Sequence, residues 1–117
     1  MLSARDVADY FLASVDEEVG DSLSNLKVQK LAYYAQGFHL ANYGRPLFPE
    51  SIEAWEHGPV VPDLYRAFRQ HGAEAIPRPE YLDLEKYSPE EIELLDEVYS
   101  VFGQFSAWKL RNMTHAE

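Results

Sequence analysis

Ser24 and Gly44 bracket the stretch that most constrains this fold. Ser24 is an N-cap residue and Gly44 a C-terminal stop, so the spacing predicts one long helix over 24–43. Leu31, Tyr34, Ala35, Phe38 and Ala41 repeat as one stripe, and Val28, Ala32 and Leu40 carry apolar character further round the cylinder. A helix apolar on most sides belongs in the middle of a fold. Gly37 in its interior costs about 1 kcal/mol of helix propensity relative to Ala, which suits either a neighbour's backbone approaching closely or a glycine merely tolerated there.

The flanking segments are built to pack on that helix. Ser3-Ala4-Arg5-Asp6 is a capping-box-like start, and Val7, Tyr10, Phe11 and Val15 follow at helical spacing, so a first helix is expected over about 4–18 before Gly20 and Asp21. After the central helix, Pro46, Pro49, Gly58, Pro59 and Pro62 punctuate the chain. Ser51–Glu56 alternates polar and apolar residues, which suits one short strand or hairpin at a sheet edge. Pro62 opens a third helix with Leu64, Tyr65 and Phe68 inward, ended by Gly72. Residues 73–88 read as a weakly structured connection. Ser88-Pro89-Glu90-Glu91 combines cap, first-turn proline and third-position acid, and starts a helix that buries Ile92, Leu95, Tyr99 and Phe102 and stops at Gly103. Ser106 starts a short last helix with Trp108, Leu110 and Met113. The expectation is a mainly α, compact bundle of about five helices with one short β-strand or hairpin between helices 2 and 3, forming one domain over residues 1–117.

Composition narrows the chemistry. The chain has 117 residues, enough to bury roughly two-thirds of its surface without covalent staples. It holds no Cys, so disulfides, Cys-ligated zinc, iron–sulfur clusters and a thiol nucleophile are excluded, and a reducing cytoplasm fits. A net charge of −10 repels nucleic acid. No segment reaches the roughly 20 apolar residues that span a bilayer, and Asp6 and Asp9 interrupt any secretory signal. The glycines at 20, 37, 44, 58, 72 and 103 stand too far apart to form a phosphate-cradling loop, and no nucleophile elbow is present. The histidines at 39, 57, 71 and 115 lack local metal-ligand spacing; a site would have to be assembled in space from His39, His57 and His115 with Glu53, Glu56 or Glu117.

Charge placement says more than its sum. From Ser22 to Pro49 there is no acid, but Lys27, Lys30 and Arg45 give a local +3; from Glu80 to Glu97 eight acids against Lys86 give −7. An acidic surface of this kind steers a basic protein partner, although solvation and helix N-terminal preference account for it equally. Eight Tyr, six Phe and two Trp exceed what a small core needs, and interfaces favour such side chains. Tyr33 falls on the same polar side of the central helix as Lys30, and an exposed position is expected for it.

Four linked motifs carry a resemblance. Leu26-Lys27-Val28-Gln29-Lys30-Leu31-Ala32-Tyr33-Tyr34-Ala35-Gln36-Gly37-Phe38-His39-Leu40 is followed by Gly44-Arg45-Pro46-Leu47-Phe48. Then come Ile52-Glu53-Ala54-Trp55-Glu56-His57-Gly58-Pro59-Val60-Val61-Pro62 with Leu64-Tyr65, and Phe105-Ser106-Ala107-Trp108-Lys109-Leu110 through Met113-Thr114-His115-Ala116-Glu117. In this order, and over nearly the whole chain, they resemble the phage-associated, SocA-like Panacea antitoxin domain family. The resemblance implies a prokaryotic or phage antitoxin that neutralises a cognate small toxin by direct contact, or an adaptor that delivers the toxin to a ClpXP-type AAA+ protease. It implies no catalytic residue, cofactor or metal. Family members often continue past the Thr-His-x-Glu motif that closes this sequence, so a C-terminal extension is expected to be absent. Candidate partner contacts are Tyr33, Trp55, His57, Tyr65 and Trp108, each equally suited to packing, with Gly58, Pro59 and Pro62 shaping the turn. A small metal-dependent hydrolase built on the His and Glu set is the remaining alternative.

Overall fold

A computed structural model of the chain describes residues 1–103. Four α-helices and a two-stranded ribbon follow in the order α1 (Ala4–Ala13), α2 (Asn25–Tyr43), β1 (Glu53–Trp55), β2 (Gly58–Val60), α3 (Pro62–Phe68) and α4 (Pro89–Phe102). The fifth helix expected from Ser106, with Trp108, lies outside the described residues.

Local chemistry sets most boundaries. Ser3 Oγ accepts from the Asp6 amide while Asp6 accepts from the Ser3 amide, a reciprocal cap. Ser88 and Glu91 repeat it at the start of α4, with Pro89 in the first turn. Ser24 caps α2, and Gly44 ends it at φ +70, a conformation that favours glycine. The first helix is shorter than its periodicity predicts. Ser14 Oγ donates back to the Tyr10 carbonyl, and Asp16 then caps a separate 3-10 turn, Glu17–Val19, closed by Gly20 at φ +84. Val15 stays buried, so the apolar spacing outlasts the helix.

One contiguous core joins the helices. Val7, Phe11 and Leu12 of α1 pack with Val28, Leu31 and Ala35 of α2, Leu64 and Phe68 of α3, and Leu95 and Val98 of α4. Three tyrosines tie α1, α4 and their connections together. Tyr10 donates to Asp96 at 2.6 Å, Tyr87 to the Asp6 carbonyl at 2.7 Å, and Tyr99 to Asp21 at 3.2 Å. Residues 73–88 are pinned at intervals rather than unstructured. The Ile76 amide donates to the Leu23 carbonyl at 2.8 Å, and Lys86 closes an ion pair to Asp6 at 3.0 Å. Burial raises the Asp6 pKa, but hydrogen bonds from Ser3 and Lys86 outweigh it and hold the carboxyl below its ordinary value.

The central helix differs from the uniformly apolar cylinder that its stripe suggests. Asn25, Gln29, Lys30, Gln36 and His39 are buried, while Phe38 and Leu40 are each 44% exposed. Gly37 is exposed, and among the described residues no atom lies within 4 Å of a Cβ placed there. A close backbone neighbour is therefore not the reason for this glycine within the described fold.

Candidate functional site

The buried polar residues of α2 hold down the segment that carries most of the candidate contacts. At 100° per residue, Asn25, Gln29, Gln36 and His39 fall within a sector of about 80° on one side of the helix. Each bonds to backbone. Gln36 Oε1 accepts from the Leu47 amide at 2.6 Å and the Phe48 amide at 3.3 Å, while its Nε2 donates to the Phe48 carbonyl at 2.9 Å. Gln29 Oε1 accepts from the Val61 amide at 2.9 Å, and its Nε2 donates to Asn25 Oδ1 at 2.9 Å. Asn25 in turn donates to the Tyr65 carbonyl at 3.1 Å. His39 Nδ1 donates to the Arg45 carbonyl at 2.8 Å, which fixes the proton on that nitrogen.

Lys30 extends the same logic. Its side chain is fully buried, and Nζ donates to the His57 carbonyl at the hairpin turn. The placement of Lys30 on a polar outer side is thus corrected: an irregular, proline-rich loop cannot pair its own backbone groups, and α2 supplies partners from the side where it packs. Tyr33, assigned to that side with Lys30, is half-buried, with its ring edge-on to Tyr34 at 5.5 Å. The basic segment around α2 is correspondingly no exposed +3 patch. Burial also pushes the Lys27 pKa down, against the pull of Asp21.

What these bonds present is a small aromatic knuckle. Trp55 and Tyr65 meet edge to face at 5.1 Å, joining β1 to α3. Trp55 is 40% exposed and its indole N–H donates to Glu53 at 3.1 Å. His57 sits exposed at the turn beside it. Gly58 takes φ +113 directly after the turn, Pro59 pairs across the ribbon with Ala54, and Pro62 is the first residue of α3. The structure therefore brings Trp55, His57 and Tyr65 onto one stretch of surface. Tyr33 belongs to the aromatic packing of α2, and Trp108 lies outside the described residues.

No group of three His, Asp or Glu side chains among the described residues is placed to hold a metal, and His115 and Glu117 fall outside them. His39 is committed to Arg45. Among the described residues no helix is long and apolar enough to cross a membrane.

A second surface was missed by sequence reasoning. Between α2 and α4 lies a groove of about 350 Å³ floored by Phe38, Leu94 and Phe102 and edged by Glu90, Glu93 and Glu97. Its signal was present as acids at i, i+3 and i+7, but solvation explained those acids equally, and Phe38 counted as core.

Comparison with known proteins agrees with the motifs. The family described as "Antitoxin SocA-like, Panacea domain" matches residues 28–117, from α2 onward, and leaves α1 outside. Over 78 residues the chain is 42% identical to "Antitoxin SocA" of Caulobacter vibrioides (strain NA1000 / CB15N). That alignment covers 64% of this chain and 39% of the relative, so the chain spans about two-fifths of the relative's length. No solved structure matches.

Proposed function

For a chain that belongs to the SocA-like Panacea-domain antitoxin family, we propose that it neutralises a cognate toxin protein by direct contact through the Trp55–His57–Tyr65 knuckle, without catalysis or a cofactor. The observation that carries this reading is a half-exposed Trp–Tyr pair on a ribbon whose turn and whose exit into α3 are held by buried α2 side chains. Large aromatic side chains contribute most where they are already held in place, because little rotamer freedom is lost on binding. Trp55 is braced by Tyr65 and Glu53, and the Tyr65 backbone by Asn25. His57 is exposed at the adjoining turn, its carbonyl held by Lys30. The whole chain acts as a cytoplasmic binding module in this reading.

The test is co-expression with the small protein encoded beside this gene. Growth arrest by that protein alone, and recovery with this chain, is the expected result. Loss of recovery with Trp55→Ala, at unchanged protein level and helicity, assigns the contact to the knuckle. A neighbouring product that is harmless, or a toxin restored equally by the variant, overturns the assignment. Pulse-chase of the toxin separates occlusion, in which its half-life is unchanged, from delivery to a AAA+ protease.

A further inference from the structure

The groove between α2 and α4 is chemically unlike the knuckle and lies further along α2. Lys30, under the hairpin turn, and Phe38, on the groove floor, are eight residues apart, about 12 Å along the helix axis. Phe38 is 44% exposed and Tyr43, at the groove's end, 40% exposed. Exposed aromatic area concentrated in a concave strip is the usual mark of a contact surface.

Three charges of the acidic segment stand along its edge, apart from those that the fold itself uses. Asp83 accepts from the Glu85 amide, Glu91 completes the α4 cap, and Asp96 accepts from Tyr10. Glu90, Glu93 and Glu97 carry no ion pair or hydrogen bond among the described residues. They stand at i, i+3 and i+7, one stripe about 10 Å long on α4, directly beside the apolar floor. Three carboxylates unpaired among the described residues, next to exposed Phe38, repel one another and exclude an acidic or purely apolar occupant.

We propose that this groove takes a basic amphipathic helix of the protein partner, its apolar stripe on Phe38, Leu94 and Phe102 and its Lys or Arg side chains at helical spacing along Glu90, Glu93 and Glu97. Two turns of helix match the length of the acidic row, and the stems of Lys and Arg cover apolar surface while their charged ends reach the carboxylates. The assignment takes its partner from the antitoxin reading, but the surface can be tested without a toxin.

The probe is a synthetic 14-residue Lys/Leu/Ala peptide with Leu on one helical face, compared with a scrambled peptide of the same composition. Both are titrated into the full chain, with binding followed by fluorescence anisotropy and by backbone amide shifts. The expected result is shifts confined to residues 38–43 and 90–101, at least tenfold weaker binding of the scrambled peptide, and at least fivefold weaker binding after Glu90→Gln/Glu93→Gln/Glu97→Gln, with a flatter salt dependence. The substituted glutamates face solvent, so thermal unfolding of this variant should match the parent. Equal binding of both peptides, shifts spread over other acidic residues such as Asp16–Glu18, or concentration-dependent shifts at the groove without peptide (a second copy as occupant) each overturn the proposal. Peptide binding at the groove with no toxin to neutralise supports the groove and removes the antitoxin-by-contact reading. Full neutralisation by the triple-Gln variant, with no peptide binding at the groove, does the reverse.

Discussion

Replacing Gln36 with Leu tests whether α2 is a clasp rather than only a hydrophobic centre. The two side chains are close in volume, so the perturbation is mainly the loss of three hydrogen bonds. Their partners cannot turn to solvent, since Leu47 is 1% exposed and Phe48 is fully buried. An abandoned buried donor or acceptor costs about 1–3 kcal/mol. Two are strongly affected, the Leu47 amide and the Phe48 carbonyl; the 3.3 Å bond to the Phe48 amide is weaker. Burying a leucine in place of an amide returns about 1 kcal/mol. The net loss is therefore about 1–5 kcal/mol, centred near 3, a large share of the roughly 5–15 kcal/mol that holds a domain of this size together. Urea unfolding should show the midpoint falling by roughly 1–2 M at an unchanged slope. Amide hydrogen exchange adds the local readout. Leu47 and Phe48 should lose protection by more than the global change, whereas Phe11 in α1 should follow the global change alone. A loss below about 0.5 kcal/mol, or uniform loss of protection, would refute the clasp.

Three further predictions concern other parts of the fold. Gly37→Ala should stabilise the chain by about 1 kcal/mol in urea, because the site is open and helical; a destabilised variant would show that something approaches that backbone. Ser88→Ala should cost about 1 kcal/mol by removing the α4 cap, seen as a lower midpoint with native α1 exchange protection relative to global stability. Burial first, then Asp21, pushes the Tyr99 pKa up to about 12, and burial likewise raises Tyr10 and Tyr87. A raised tyrosine favours the folded state fully below the unfolded value near 10, so stability should be lost as pH rises from about 10 through 12. Residue-resolved NMR of the three rings should show them ionising only as circular dichroism reports unfolding; ionisation of these three near pH 10 with the fold intact would contradict this.

The parts of the fold legible in the sequence were those decided within a few residues. Ser3, Ser24 and Ser88 cap the helices they precede, and Gly44 and Gly20 end elements with positive φ, because each bond spans three or four positions. What escaped was decided at a distance. Gln29 reaches Val61 and Lys30 reaches His57, some thirty residues on, so helical periodicity counts both as outward-facing polar residues. Phe38 failed in the opposite sense: its spacing is that of the core, yet α4 covers only part of it. The edge-to-face meeting of Trp55 with Tyr65 was likewise not in the pattern, since it depends on how α3 packs after the turn. The family motifs run through both sets of residues, those that hold the ribbon, such as Gln29 and Lys30, and those it displays, such as Trp55.

Binding to the small protein encoded beside this gene, measured by isothermal titration for the parent chain and for Trp55→Ala/Tyr65→Ala, tests the account at its centre. Aromatic residues at the heart of a contact contribute about 2 kcal/mol or more each, which converts to a loss of roughly 30-fold for either alone and more for the pair. The account predicts that loss with unchanged helicity and unchanged hydrogen exchange in α1 and α2. Undiminished affinity in the double variant would contradict it and place the toxin elsewhere on the molecule.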